Sequence, residues 1–239
     1  LGRHWQQQRQ EFDMLRSLRL TALAALGSLT LASCAQMSSG SKTTGAIDEQ
    51  ALVDNATHVV GVMDANAGPK AAALLQKAKA VVIFPDMIKG GIGIGASHGK
   101  GVMLAHQATR WSEPAFYDST SISLGLQIGA EESAVVMFLM TQKAYDAMLQ
   151  TSTFSLKAQG GLALADLNTA GQAQISGADV VIWSKSSGAF GGLALAGSDI
   201  SQDSSADRAY YGKPVFAPEI VSGKVSNPKA ASLIKALGG

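Results

Sequence analysis

The chain holds one cysteine among 239 residues, which excludes an internal disulfide and any zinc site built from cysteines. Charge is scarce as well, at 15% of residues. Four of the 19 Lys and Arg and two of the 18 Asp and Glu lie before Cys34, so the remainder of the chain is close to neutral. A duplex-binding protein carries a basic footprint, and without one no nucleic-acid partner is expected. The four histidines show no metal-ligand spacing, and no cofactor or metal is expected. No apolar run reaches the roughly 20 residues of a comfortable membrane-spanning helix. What is abundant is apolar content, 46%, together with 26 glycines, enough for one domain with a full core.

The lone cysteine closes a recognisable segment. Met14 opens a short basic region with Arg16 and Arg19, an apolar run follows from Leu20 to Leu31, and Leu31, Ala32 and Ser33 precede Cys34. This three-part pattern resembles a bacterial lipoprotein signal peptide. The resemblance implies cleavage before Cys34 and acylation of that cysteine. Each buried methylene contributes about 0.8 kcal/mol, so several acyl chains make a lasting anchor. Ala35 stands where an aspartate commonly signals inner-membrane retention, which implies sorting to the outer membrane, with the domain facing the periplasm or the cell surface. The expected organisation is therefore an upstream extension at 1–13, a signal peptide at 14–33, a Ser, Gly and Thr-rich tether at 34–47, and one domain at 48–239.

Asp48 is placed to cap a helix whose apolar stripe is Leu52, Ala56, Val59, Val60 and Met63, with Asp48, Glu49, Asp54 and Asp64 assigned to the polar side. A membrane-surface helix carries lysines and arginines there, so this one is expected to pack on the core. Gly68 and Pro69 break it and open a second helix through Lys79. Val81 to Phe84 then reads as a short buried strand, Pro85 and Asp86 as a turn, and Val102 to His106 as the return strand of a hairpin about His98 to Lys100. Between Gly91 and Gly95 glycine alternates with isoleucine, so one face of the strand is bare backbone against which something must pack closely. Gly125 to Ala130, Gly161 to Ala165 and Gly192 to Gly197 echo that pattern.

Further strands are expected at 119–128, 133–140, 155–165, 172–184 and 188–200. Thr141 is placed to cap a short helix, and Asn227 and Pro228 to open a final one. The fold class is α+β: a mainly antiparallel, Gly-rich β-sheet, barrel- or sandwich-like, with N-terminal helices and a C-terminal helix.

Three motifs invite a chemical reading. Gly91, Gly93 and Ala96 satisfy the letters of a dinucleotide fingerprint, but Ser97, His98, Gly99 and Lys100 make a poor helix opening for a pyrophosphate. Gly95, Ser97 and Gly99 match a nucleophile elbow. That fold places an acid and then a histidine after the serine, and no Asp or Glu lies between Ser97 and His106. Asp199, Asp203 and Asp207 recur every four residues without the glycine bend or distal glutamate of a cation loop, and read as a solvated face.

The order of several weak motifs is more specific than any one of them. Ala80 to Pro85, Gly90 to Gly93, Trp111 to Phe116, Ser123 to Gly129, Trp183 to Gly192 and Tyr210 to Gly212 together resemble the SYLF-domain family, over nearly all of residues 51–212. The resemblance implies a lipid-binding, non-catalytic domain. Eukaryotic relatives bind phosphoinositide membranes through a basic N-terminal helix, and some fungal members bind actin. The matching helix here is acidic, and actin and phosphoinositides are implausible partners in a periplasm, so phosphoinositide specificity is not carried over. The leading expectation is an outer-membrane lipoprotein that meets membrane phospholipid through acylated Cys34 and through the domain itself, with Lys89, His98 and Lys100 as head-group contacts beside accessible backbone N–H groups. Two alternatives stand beside it: an envelope protein that holds a protein partner, and a serine hydrolase built on Ser97.

Overall fold

The computed structural model describes residues 44–150, 153–155, 162–185 and 198–238, of which 44–47, 90–94 and 123–131 as backbone alone. Helix α1 (Thr44–Leu75) opens the domain. It begins inside the stretch expected as tether, so Asp48 lies within the helix rather than capping it. Of the expected stripe Ala56, Val59, Val60 and Met63 are buried, while Leu52 is only half-buried and its neighbour Val53 is buried instead. At Gly68 the backbone enters positive φ (32°) and Pro69 follows, so α1 is two arms joined at a kink.

Two long strands carry the sheet. Strand β1 (Ala80–Gln107) pairs antiparallel with β3 (Ala115–Leu139) from Ala80 opposite Leu139 to Met103 opposite Ala115. The short β2 (Arg110–Trp111) pairs back onto the end of β1. The expected turn at Pro85 and Asp86 is instead a register shift between Phe84 and Met87, where a bulge accommodates the proline within the strand. The expected hairpin at His98 to Lys100 is not formed either. All three residues sit in mid-strand opposite Thr120, Ser119 and Asp118, and a second register shift falls earlier, between Ile92 and Ile94.

β1 nevertheless doubles back. The His106 N–H donates to the Lys79 carbonyl at 2.8 Å, Gly101 lies against Ile83 and Phe84, and Gly99 lies against Asp86 and Met87. Close backbone packing is thus found at Gly99 and Gly101, where the two halves of β1 meet, whereas the surroundings of Gly91 and Gly93, where a bare face is expected, lie outside what the structure describes.

The far edge of β3 is shared by two partners. β6 (Val180–Ser184) pairs with Val135–Leu139, and β7 (Asp199–Gln202) pairs with Tyr117–Thr120. β4 (Thr153–Ser155) extends β7, and β5 (Leu164–Asp166) adds to β6 in parallel. The result is a curled, mainly antiparallel half-barrel with helices before and after it. Helix α2 (Gln142–Gln150) follows β3, with the Ala144 N–H donating to Thr141 Oγ1 at 3.3 Å. Gln172–Ser176, expected as strand, is a short helix, α3. Helices α4 (Ser204–Tyr211), α5 (Ala217–Val221) and α6 (Ala231–Ala236) complete the domain, and Asn227 accepts from the Lys229 N–H as expected ahead of Pro228.

Alternation along the strands feeds two cores. Val81, Ile83, Val102, Leu104, Phe116, Val136 and Phe138 face outward onto α1, α4 and α6. Val82, Phe84, Met103, Tyr117, Val135 and Met137 face into the curl, closed by Met148, Phe154 and Ile220.

Candidate functional site

The densest gathering of chemically capable groups lies on the outer face where the start of α1, the middle of β1 and β3, and the start of α4 meet. Lys100 projects from β1, Asp118 stands opposite it on β3, and Asp203 caps α4. The Lys100 Nζ donates to Asp203 Oδ2 at 3.1 Å. Asp203 Oδ1 accepts from the Ser205 and Ala206 N–H groups at 3.1 and 3.0 Å, satisfying donors that the first turn of a helix leaves open. One turn later, Asp207 Oδ1 accepts from the Phe116 N–H at 2.9 Å, while the Asp203 N–H donates to the Phe116 carbonyl at 2.9 Å. The edge of β3 beyond β7 is thereby capped by side chain and main chain of α4.

Glu49 enters the same region from α1 and is buried. It lies four residues before Val53 and seven before Ala56, on the buried stripe and not on the polar face to which the sequence assigned it. Asp207 is fully buried, and its Oδ2 has no hydrogen-bond partner. Neither residue belongs to a solvated face.

Three carboxylates, Glu49, Asp118 and Asp203, share Lys100, and Asp207 feels two of them, Asp203 and Glu49. Burial pushes the Asp207 carboxyl up to about 7, against the pull of the Phe116 N–H and with the help of the charges on Asp203 and Glu49. Burial also raises Glu49 and Asp118, only partly opposed by Lys100. Burial acts upward on Asp203 too, but hydrogen bonds from Ser205, Ala206 and Lys100 outweigh it and hold that carboxyl below its ordinary value. Lys100 is desolvated, yet the bond and charge of Asp203 raise its ammonium above the ordinary range.

Among the described residues no group of three or more His, Cys, Asp or Glu is arranged to hold a metal. The cluster instead ties four elements together by charge.

The residues expected at a head-group site are distributed as follows. Lys100 is engaged by Asp203. His98 is exposed on the same outer face, opposite Thr120. Lys89 is half-buried opposite Glu131, in step with the buried Met87, and so on the inner face. Cys34 lies outside the described residues, as do the signal segment and the Gly192 to Gly197 echo. Ser97 is buried in mid-strand with its Oγ 2.6 Å from Ser121 Oγ, so the strand-to-helix turn of a nucleophile elbow is not formed.

The motif order and the comparison with known families agree. Residues 120–239, half of the chain, match the Ysc84 family model, described as Las17-binding protein actin regulator. The chain belongs to the Ysc84, or SYLF-domain, family. It is 30% identical over 163 residues to SH3 domain-containing YSC84-like protein 1 of Xenopus laevis, covering 66% of this chain and 48% of that protein. It is 29% identical over 163 residues to LAS seventeen-binding protein 3 of Saccharomyces cerevisiae (strain YJM789), covering 66% of this chain and 35% of that one. The chain therefore spans about half or less of the curated Ysc84-family relatives it matches. No solved structure matches it.

Two signals for the cluster were present in the sequence. Asp203 followed by Ser204, Ser205 and Ala206 is an N-cap ahead of helix-compatible residues. Glu49 sits at helical spacing from Val53, Ala56 and Val60.

Proposed function

We propose that this Ysc84-family chain is a non-catalytic lipid-binding protein of the cell envelope. In this reading it is held at the outer membrane through acylated Cys34, and it meets the bilayer with the outer-face end of the β1–β3 ribbon. The observation that carries the reading is Ile122, which is 80% exposed, opposite Ala96 and two residues from Thr120, the partner of His98. A large apolar side chain beside an exposed imidazole that can hydrogen-bond a phosphate suits the boundary between acyl chains and head groups. Glu49 of α1 lies near Lys100 of the same ribbon, so the helix that the tether leads into begins at this end. Ten residues separate Cys34 from Thr44, a reach of about 36 Å at most. Lys100 acts in this reading as an internal tie, and His98 is the exposed side chain on this face that is placed to hydrogen-bond a phosphate. No helix among the described residues is long and apolar enough to cross a membrane.

The test is flotation of a Cys34→Ser chain with phosphatidylethanolamine and phosphatidylglycerol vesicles. Association that Ile122→Glu abolishes is expected. Absence of association at every composition would overturn the lipid reading.

A second reading rests on the yeast relative, LAS seventeen-binding protein 3, whose name speaks of Las17 binding. Here the domain holds a protein partner in the envelope. Recovery of the same envelope protein by the chain and by Ile122→Glu, without vesicle binding by either, would favour it.

A further inference from the structure

The kink in α1 makes a cleft on the opposite end of the outer face. The arm containing Gly61 and Asp64 forms one wall, the arm containing Leu75 the other, and Leu237, just past α6, closes a third side. The floor is His106 stacked on Trp111 across the β1–β2 turn, with centroids 4.6 Å apart and planes 9° from parallel. Trp111 is fixed in turn, because its Nε1–H donates to the Leu237 carbonyl at 2.9 Å. The cleft holds about 450 Å³, within the range of small-molecule sites.

Two features show what the cleft is shaped for. Gly61 stands in the helix interior, where glycine destabilises by about 1 kcal/mol relative to alanine. No atom lies within 4 Å of where its Cβ would be, so close packing does not demand glycine there. Its effect is to leave open the part of the cleft that it lines. The charged lining is equally selective: Asp64 contributes a carboxylate, and no lysine or arginine lines the cleft. A half-buried imidazole backed by the buried Trp111, together with one carboxylate and neither lysine nor arginine, suits a planar ring that carries positive charge.

We propose that the cleft between the two arms of α1 and the His106–Trp111 pair is a binding site for a small planar aromatic cation. The site is independent of the membrane-facing end of the ribbon.

The test is fluorescence anisotropy of 9-aminoacridine, a planar cation, titrated with the full chain at pH 7.5, beside 9-anthracenecarboxylate as an anion of the same ring shape. Saturable binding of the cation and at least tenfold weaker binding of the anion are expected. Gly61→Leu fills the opening and abolishes binding, and unchanged circular dichroism and melting show that the variant is folded. Should Gly61→Leu fail to fold, Gly61→Ala supplies the smaller obstruction and a partial loss of affinity. Asp64→Asn lowers affinity for the cation about three- to fivefold, as an exposed ion pair would, and narrows the gap between the two probes. Absence of saturation, equal binding of the two probes, or full affinity in folded Gly61→Leu would each overturn the proposal.

Discussion

Gly101 lies against Phe84 of its own strand: a Cβ added to Gly101 would fall 2.5 Å from Phe84 Cδ1 and 2.6 Å from the Ile83 carbonyl oxygen. Phe84 is fully buried and the carbonyl is backbone, so neither gives way easily. Gly101→Ala is expected to destabilise by about 1–3 kcal/mol, read as a lower midpoint in urea with an unchanged slope. Gly171→Ala, with open space at its Cβ, is the control: it meets no clash and loses only the N-cap preference for glycine, about 1 kcal/mol or less. Equal midpoints for the two variants would contradict the packing of β1 onto itself.

Asp207 predicts an inverted acid response. Its carboxyl titrates near 7 in the folded chain and near 3.9 unfolded, so between these values the unfolded chain has released a proton that the folded chain retains. Stability therefore falls as pH rises from about 4 to about 7 and levels off above. Glu49 and Asp118, also raised, act in the same direction. Asp203, held below its ordinary value, stabilises above its unfolded pKa and loses that contribution only at lower pH. Urea midpoints measured from pH 4 to 9 should be highest on the acid side of neutrality. Asp207→Asn, which keeps an acceptor for the Phe116 N–H, should flatten the curve, and an unchanged profile in that variant would assign the response elsewhere.

Asp203 has two tasks, cap and counter-ion, and they are separable. Lys100 is half exposed, so the ion pair contributes about 1 kcal/mol or less. The cap contributes about 0.5–2 kcal/mol. Asp203→Asn, a good cap without the charge, is expected to retain most of the stability that Asp203→Ala loses. A larger loss in Lys100→Gln than in Asp203→Ala would reverse that ranking.

Gly61→Ala should raise stability by about 1 kcal/mol, since helix propensity improves and no neighbour is displaced. Thermal melting measures the gain. A loss instead would show that the wall of the cleft is packed more closely than described.

Much of the helical framework was legible locally. The stripe from Ala56 to Met63, the break at Gly68 and Pro69, and the caps at Thr141 and Asn227 each depend on neighbours within a few residues, and each is found in place, whereas Leu52 yields its buried position to Val53. The long strands were not legible in that way. Pro85 and the glycines near it carry the letters of turns, and only the pairing partner decides whether a bulge absorbs them. Ala80 finds that partner at Leu139. Gln172–Ser176 was misread for a related reason, its alternation of small and polar residues suiting strand and helix alike. Of the charge cluster, Asp203 and Glu49 had local signatures, whereas the burial of Asp207 is set by the edge of β3.

The pairing of β1 with β3 also constrains how the chain assembles. From Met103 opposite Ala115 to Ala80 opposite Leu139, each successive pair closes a larger loop than the last, and the tight connection at Ala108 and Thr109 lies at the origin. Loop-closure entropy favours the nearest pairs first, so the ribbon is expected to zip outward from β2. The glycine contacts at Gly99 and Gly101 need the far half of β1 in place and come late. The residues that seal the curl should then act mainly on how fast the chain opens, leaving its rate of formation to the turn beside Trp111.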